Sequence, residues 1–290
     1  MRNEWHDILM ITYNRPAFTK LALEQLLKTC DENMRVWIWH NGTDQETLDV
    51  VEEFRAHPKL YHIHVSPENK KLREPTNWFW ANSDGAFLSK VDDDCLLPMD
   101  WGKTLREAHT DEPKLGIVGC WRFYDSDFVP ELAEKKIRTI GGGHRIMRHH
   151  HVQGSGYVMK RAVFQDNGPL RNSEGFTRYC NRAGARGWEI GWYFPFIHEE
   201  HMDGARSPYY PYKTDDEFMK YRPLTAINAG VRSVEEWKTL SAKLAHSIQE
   251  DLSEAKSHVG WRRVYRAGRR RLSSLLGSTG HIRKKKPFVQ

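Results

Sequence analysis

Three consecutive aspartates, Asp92, Asp93 and Asp94, close an apolar run, Ala86-Phe87-Leu88-Ser89-Lys90-Val91. Carboxylates at the C-terminal end of a strand can converge on one hard divalent cation. Mg²⁺ or Mn²⁺ takes oxygen ligands, which in nucleotide sites it shares with substrate phosphates. Alone, the triplet would equally suit a solvated loop. Two further polar clusters, Thr12-Tyr13-Asn14-Arg15 and His40-Asn41-Gly42-Thr43-Asp44, also follow apolar runs. His198 and His201 do not make the H-E-x-x-H zinc pattern, because two residues separate them and no third ligand is near. Cys30, Cys95, Cys120 and Cys180 are widely spaced, which reads as free thiols in a reducing compartment.

The elements that would carry these groups alternate. Ile8–Ile11, Val36–Trp39, Tyr61–Val65 and Phe87–Val91 read as strands. Between them, helices are predicted from Pro16, over Thr47 to Phe54 and over Thr76 to Ser83. This β-α-β-α order predicts an α/β fold with a mostly parallel central sheet flanked by helices. Ligands of such sheets bind outside the carboxyl ends of the strands, so the three polar clusters fall along one edge. Leu115–Gly119 and Gly156–Met159 read as further strands. Residues 120–152, with Gly141-Gly142-Gly143 and His149-His150-His151, read as a mobile excursion, the histidine triplet as loop. No G-x-G-x-x-G is present, which argues against a dinucleotide cradle. Ser233 and Glu236 suggest a capped helix reaching about Ala255.

The net charge of +6 hides an asymmetry. Residues 256–290 contain eleven Lys/Arg and no acidic residue, so the preceding body is mildly acidic. Trp261, Val264, Tyr265, Leu272, Leu275 and Leu276 recur at helical spacing among arginines. A basic amphipathic helix of this kind suits an anionic membrane surface, the DNA backbone, or docking on the body. No stretch approaches the roughly 20 apolar residues of a membrane span. The chain is therefore expected in the cytoplasm, with peripheral attachment at the inner membrane face as the second option.

Ile11-Thr12-Tyr13-Asn14-Arg15-Pro16, His40–Asp44 and Val91–Asp94 together resemble the nucleotide-sugar glycosyltransferases of the GT-A fold, family 2 type, over residues 6 to 205. The resemblance implies a Rossmann-like GT-A sheet with a helical, basic C-terminal extension. It divides the chain into a nucleotide-sugar half (1–119), an acceptor half of the same domain (120–215) and the extension (216–290). It implies sugar transfer from a nucleotide diphosphate donor, a UDP-sugar first, with Mn²⁺ or Mg²⁺. By that likeness Asp94 is the main metal ligand and Asp92 holds ribose or metal. Asp93 turns away from the ion and counts with the donor-side residues. Thr12, Tyr13, Asn14 and Arg15 line the nucleotide pocket. His40 stands where the family has a base-reading aspartate, so Asn41 is expected to take over that hydrogen bond. Arg73 and Lys71 could reach the diphosphate, or lie on a solvated basic loop. Ser173-Glu174-Gly175-Phe176 before Asn181-Arg182-Ala183 resembles the acidic motif that supplies the general base of inverting enzymes. Glu174 is that base by likeness and Asp166 the fallback, although the motif's second acid is missing. His201, ahead of His198, is the additional metal or diphosphate contact.

The acceptor is left between a surface glycan or lipid-linked saccharide and a hydroxylated base in DNA. Two rivals stand beside this reading. A sugar nucleotidyltransferase would share the sheet and the metal but begins with a Gly-rich loop that Asn14-Arg15-Pro16 does not supply. A non-enzymatic nucleic-acid-binding protein would explain the tail but not the aspartates.

Overall fold

The computed structural model describes residues 4–261 and Tyr265; most of the predicted basic amphipathic helix therefore lies outside the described residues. Strands β1 (His6–Thr12), β2 (Met34–Asn41), β3 (Leu60–Ser66) and β4 (Phe87–Lys90) alternate with helices α1 (Pro16–Thr29), α2 (Gln45–Glu53) and α3 (Arg73–Asn82). The two-residue strand β5 (Cys95–Leu96) precedes α4 (Trp101–Asp111), β6 (Leu115–Gly119), α5 (Pro130–Ala133), β7 (Ile137–Thr139) and β8 (Arg145–Arg148). Then come β9 (Tyr157–Lys160), α6 (Arg161–Asn167), α7 (Phe176–Ala185), β10 (Glu189–Phe194) and β11 (Glu200–His201). Helices α8 (Asp215–Tyr221), α9 (Leu224–Asn228) and α10 (Val234–Glu250) complete the order.

Nine strands form one sheet in the order β3-β2-β1-β4-β9-β6-β10-β8-β7. The pairs β1–β2, β2–β3, β1–β4 and β6–β10 are parallel. Antiparallel pairing enters with β9, between β4 and β6, and with β8, between β10 and β7. Seven of the nine strands thus run in one direction and only β8 and β9 oppose them, so the sheet is mostly parallel, as its alternating elements predict.

Both faces are covered, and strand alternation sorts the residues. Ile8, Met10, Val36 and Ile38 pack with α1 and α4 through Leu23, Leu26, Trp101 and Leu105. Leu9, Ile11, Trp37 and Trp39 face the other way, into a layer with Phe79 and Trp80 of α3 and Tyr179 and Ala183 of α7. This period-two alternation, buried on both sides, gives the near-continuous apolar runs seen in the sequence. Pro16 opens α1 at its first turn, where its missing N–H costs nothing.

Two expectations need correction. Residues 120–152 are not a free excursion: β8 pairs with β10 and β7 with β8, so the segment builds one edge of the sheet. Ile146 and Met147 are fully buried there, and His149 and His150 nearly so. The strands were obscured because they are short and carry arginines at their exposed positions. The last long helix also stops at Glu250, before Ala255, and the chain continues through a 3₁₀ turn at Ala255–His258.

Candidate active site

The C-terminal ends of β1, β2 and β4 do converge. A cleft of about 480 Å³ opens there, lined by Tyr13, Arg15, Asn41, Lys71 and all three aspartates. Arg122, Tyr124, His201, Asp203, Arg206, Trp237 and Lys238 line it from later segments of the chain.

The chain leaves β1 through Asn14, whose φ of 51° is left-handed, a conformation that asparagine tolerates well. That turn aims Arg15 inward. Its Nη1 donates to Asp94 Oδ2 at 2.6 Å and to Asp203 Oδ2 at 3.3 Å. Asp94 is only 5 % exposed. Its other oxygen lies 3.8 Å from His201 Nε2. His201 Nδ1 is in turn 2.7 Å from Asp203 Oδ1. β11 pairs with β5, His201 opposite Cys95, and this small sheet brings residues 200–203 up to the aspartates. Met202 N–H donates to the Asp94 carbonyl at 2.8 Å, fixing the register.

The electrostatics follow from crowding. Burial opposes the charged form of His201, but Asp94 and Asp203 outweigh it and push the imidazole up to about 10. Burial raises the Asp94 carboxyl to about 6, with His201 and Arg15 opposing the rise and Asp203 and Asp92 adding to it. Burial, then the Asp94 charge, raises Asp93. Burial would raise Asp203 as well, but His201 and Arg15 hold it well below the usual carboxylate range. Four aspartates crowd together here against Arg15, Lys90 and His201, and such a gathering of carboxylates favours a cation.

These residues fit a divalent ion. Asp94 Oδ1 and His201 Nε2 can both reach an ion about 2.1 Å from each across their 3.8 Å gap. Asp203, 2.7 Å from His201 Nδ1, would orient the ring so that Nε2 turns to an ion once that ion displaces the imidazole's proton, as outer partners of metal-bound histidines do. Cys95 also falls within this cluster, its Sγ 3.5 Å from Asp94 Oδ1. Burial keeps that thiol protonated, which leaves Asp94 and His201 as the donors.

Asp92 lines the cleft, its backbone N–H on Ser155 Oγ at 3.0 Å and its carboxylate paired with the buried Lys90. Asp93 accepts from Tyr13 N–H at 3.3 Å and from the Thr19 hydroxyl at 3.4 Å, so it faces the β1 turn rather than His201. Tyr13 is 42 % exposed and lies over Gly42. A Cβ on Gly42 would stand 3.4 Å from the Tyr13 ring, and its φ of 86° already favours glycine. Thr12 is buried and holds His40 through a 3.0 Å contact.

Asn41 lines the cleft with its amide largely committed. Its Oδ1 accepts from Trp39 Nε1 and Lys70 N–H, and its Nδ2 donates to the Lys71 carbonyl. At most one N–H is then left for a base. The same bonds hold Lys71 at the cleft, whereas Arg73 sits exposed at the start of α3 and does not line it.

Glu174 does not line the cleft either. Its carboxylate takes Arg182 Nη2 at 2.8 Å, Arg182 Nε at 3.1 Å and Arg171 N–H at 2.8 Å. Burial would raise it, but these bonds pull it below its ordinary value, the opposite of what a base near neutral pH needs. Asp166, on α6, pairs with Arg186 and Trp188 Nε1. His198 contacts Glu200 and the Phe123 carbonyl.

Sequence reasoning gave no role to Asp203, Arg122, Arg206 or Trp237. Asp203 had a readable signal, two residues after His201. The others come from distant segments. Trp237 of α10 donates to the Asp203 carbonyl at 3.2 Å. Arg206 forks onto Asp127, and among the described residues Arg122 shows no ion pair.

The family model described as glycosyl transferase family 2 matches residues 7–168, more than half of the chain. An uncharacterised glycosyltransferase of Bacillus subtilis (strain 168), YfnE, is 29 % identical over 126 residues, which cover 42 % of this chain and 31 % of that one. The chain thus matches less than a third of that relative's length. Among solved structures, S. aureus TarS 1–349 in complex with UDP-GlcNAc superposes with a TM-score of 0.54 at 15 % identity. The match covers 74 % of this chain and 64 % of that one. The mannosyltransferase PcManGT from Pyrobaculum calidifontis, in complex with GDP-Man and Mn²⁺, gives 0.52 at 14 % identity, covering 92 % and 79 %. GalNAc-T7 with UDP, GalNAc and Mn²⁺ gives 0.55 at 11 % identity, covering 85 % and 58 %. At these identities the likeness is one of fold, and the fold is GT-A.

Proposed function

The chain belongs to glycosyl transferase family 2, and we propose that it moves a sugar, with inversion, from a UDP-sugar to an acceptor hydroxyl in a reaction that needs Mn²⁺ or Mg²⁺. The observation that carries this reading is the Asp94–His201–Asp203 relay beside Arg15. It sets a nearly buried cation site at the end of β4, where a donor diphosphate would lie. A divalent ion bound there supplies positive charge to the departing diphosphate. Asp94 and His201 hold it, and Asp203 orients His201. Arg15 and Lys71 add charge on the phosphate side, Tyr13 offers its ring to the base, and Asp92 takes the ribose. His40 leaves no carboxylate at the base-reading position.

The cleft residues from later segments of the chain receive the acceptor. Trp237 and Tyr124 present rings, and Arg122, Arg206 and Lys238 present donors, a combination suited to the faces and hydroxyls of a sugar. We therefore place a saccharide, on a surface glycan or a lipid carrier, ahead of a hydroxylated base in DNA. Glu174 stands as the base by family likeness only. The test is incubation with a panel of nucleotide sugars, Mn²⁺, and saccharide, lipid and hydroxylated-DNA acceptors, with products read by mass spectrometry and the new anomeric centre by NMR. A UDP-sugar consumed with inversion onto saccharide is the expected result. Transfer with retention, activity in excess chelator, or transfer to DNA alone would overturn the corresponding part of the reading.

A further inference from the structure

A second cluster of ligating side chains lies away from the aspartates, where the end of the described chain meets the body. His149, His150 and His151 offer ligand atoms within 4.8 Å of one another, and His150, Asp251 and His258 form an overlapping group of the same size. The segment after α10 is seated closely here. A Cβ on Gly184 of α7 would stand 2.6 Å from Ala255 Cβ, so the missing side chain is what admits the 3₁₀ turn that carries His258.

We propose that His150, His258 and Asp251 bind one transition-metal ion of the zinc class, which ties residues 251–258 to the turn at 149–151. His150 Nε2 lies 3.4 Å from Asp251 Oδ2. Two ligands about 2.0–2.1 Å from a tetrahedral ion stand about 3.4 Å apart, so this edge of the site is already at bonding dimensions. The outer hydrogen bonds also match those of a bound histidine. His150 Nδ1 lies 2.7 Å from Asn181 Oδ1, which takes its N–H, and Nε2 faces Asp251 across the 3.4 Å contact, where a metal ion would replace the proton between them. His258 Nε2 lies 2.7 Å from Ser253 Oγ, and donation there puts the His258 lone pair on Nδ1. Asp251 Oδ1 accepts Ser253 N–H at 2.8 Å, which orients the carboxylate.

The imidazole of His258 stacks on that of His150 with centroids 3.8 Å apart. Ligation needs His258 to rotate out of the stack so that both lone pairs point at one ion. His149 is left out of the set because Lys136 Nζ occupies its Nδ1 at 2.8 Å. His151 lies 3.1 Å from His150 Nδ1, the edge of the ring away from Asp251, so the remaining position is left to water. The donors are nitrogen-rich, which suits zinc, nickel or cobalt rather than the magnesium-type ion of the cleft.

The test uses the full chain carrying Asp94→Asn and His201→Ala, so that the cleft no longer competes. After chelation and dialysis it is titrated with Zn²⁺ against a chromophoric chelator, and with Co²⁺ followed by visible absorption. One equivalent of tightly held Zn²⁺, a tetrahedral Co²⁺ spectrum and a raised melting temperature are expected. His258→Ala should abolish all three. Ser253→Ala, which keeps every ligand, should weaken Zn²⁺ binding about 10- to 100-fold. Weak binding that is unchanged by either substitution, or no binding by the cleft-deficient protein, would overturn the proposal.

Discussion

Replacing Asp203 by asparagine should loosen the ion in the cleft without abolishing the reaction. Asparagine keeps the shape and one acceptor oxygen but removes the charge that faces His201 Nδ1 at 2.7 Å. It also removes one of the two anions on Arg15, whose Nη1 stands 2.6 Å from Asp94 and 3.3 Å from Asp203. Both changes act in one direction. His201 loses the partner that orients it, and Arg15 settles more firmly on Asp94, the carboxylate the ion needs. Losing an outer partner of this kind costs about 10- to 100-fold in metal affinity. That corresponds to about 1.4–2.7 kcal/mol. The assay is donor hydrolysis against Mn²⁺ concentration for wild type and Asp203→Asn. The half-saturating Mn²⁺ should rise by that factor, while the rate at saturating metal stays close to wild type. An unchanged half-saturation with a collapsed maximal rate would place Asp203 on the reacting atoms. No change in either would remove His201 from the ion and refute the relay.

Asp94→Asn removes the charged ligand itself, and turnover should fall at least ~100-fold even at saturating metal. Because Asp94 is buried against Arg15 rather than exposed at a strand end, its melting temperature should shift as well, measurable by calorimetry. Glu174→Gln breaks a fork onto Arg182 and should cost about 1.5–3 kcal/mol in chemical denaturation, with donor hydrolysis near wild type; a ~10²- to 10⁴-fold loss of transfer at unchanged stability would support it as the base, and unchanged transfer would dismiss it. Burial lowers His109 to about 4, so an unfolded chain takes up this proton below about pH 6.5 while the native one waits until about pH 4. Stability should therefore fall as pH drops through that window, by up to ~1.4 kcal/mol per pH unit, and urea midpoints of wild type and His109→Gln should converge there; parallel profiles would count against it. Deleting residues 266–290 should leave donor hydrolysis intact and, if the basic tail recruits a polyanion, remove salt-sensitive binding to anionic vesicles or duplex DNA; salt-sensitive binding that survives the deletion would dismiss the tail.

The donor side was legible because it is local. Each strand end is followed at once by its functional residues, so the apolar runs alone place Tyr13, Asn41 and Asp92–Asp94 on one edge. His201 was reached by family likeness, and its link to Asp94 exists only through the β5–β11 pairing, two residues long and without a periodic signature. Asp203 adjoins it yet had no role until the His201 ring was oriented. Arg122 and Trp237 reach the cleft from distant segments, Trp237 through its bond to the Asp203 carbonyl, and no spacing encodes that. Glu174 shows the reverse case, marked as the base by likeness while the structure pairs it with Arg182 outside the cleft. An acid in the expected neighbourhood of an arginine can be that arginine's partner, and charge pairing on the page looks the same as a motif.

The placement of β9 also governs how this chain can be made. Strand β4 finds its second neighbour only in residues 157–160, and β6 finds both of its neighbours in β9 and β10. Trp80, on α3, is covered by Phe164 and Tyr179. During synthesis the first 119 residues therefore emerge with an open strand edge, a β6 that has nothing to pair with, and an uncovered tryptophan face. The half that carries the aspartates is not a unit that could be cut out or fused elsewhere. It becomes stable only once about seventy more residues have left the ribosome and threaded back into the middle of the sheet, a long-range closure that slows folding and makes early truncations prone to aggregate.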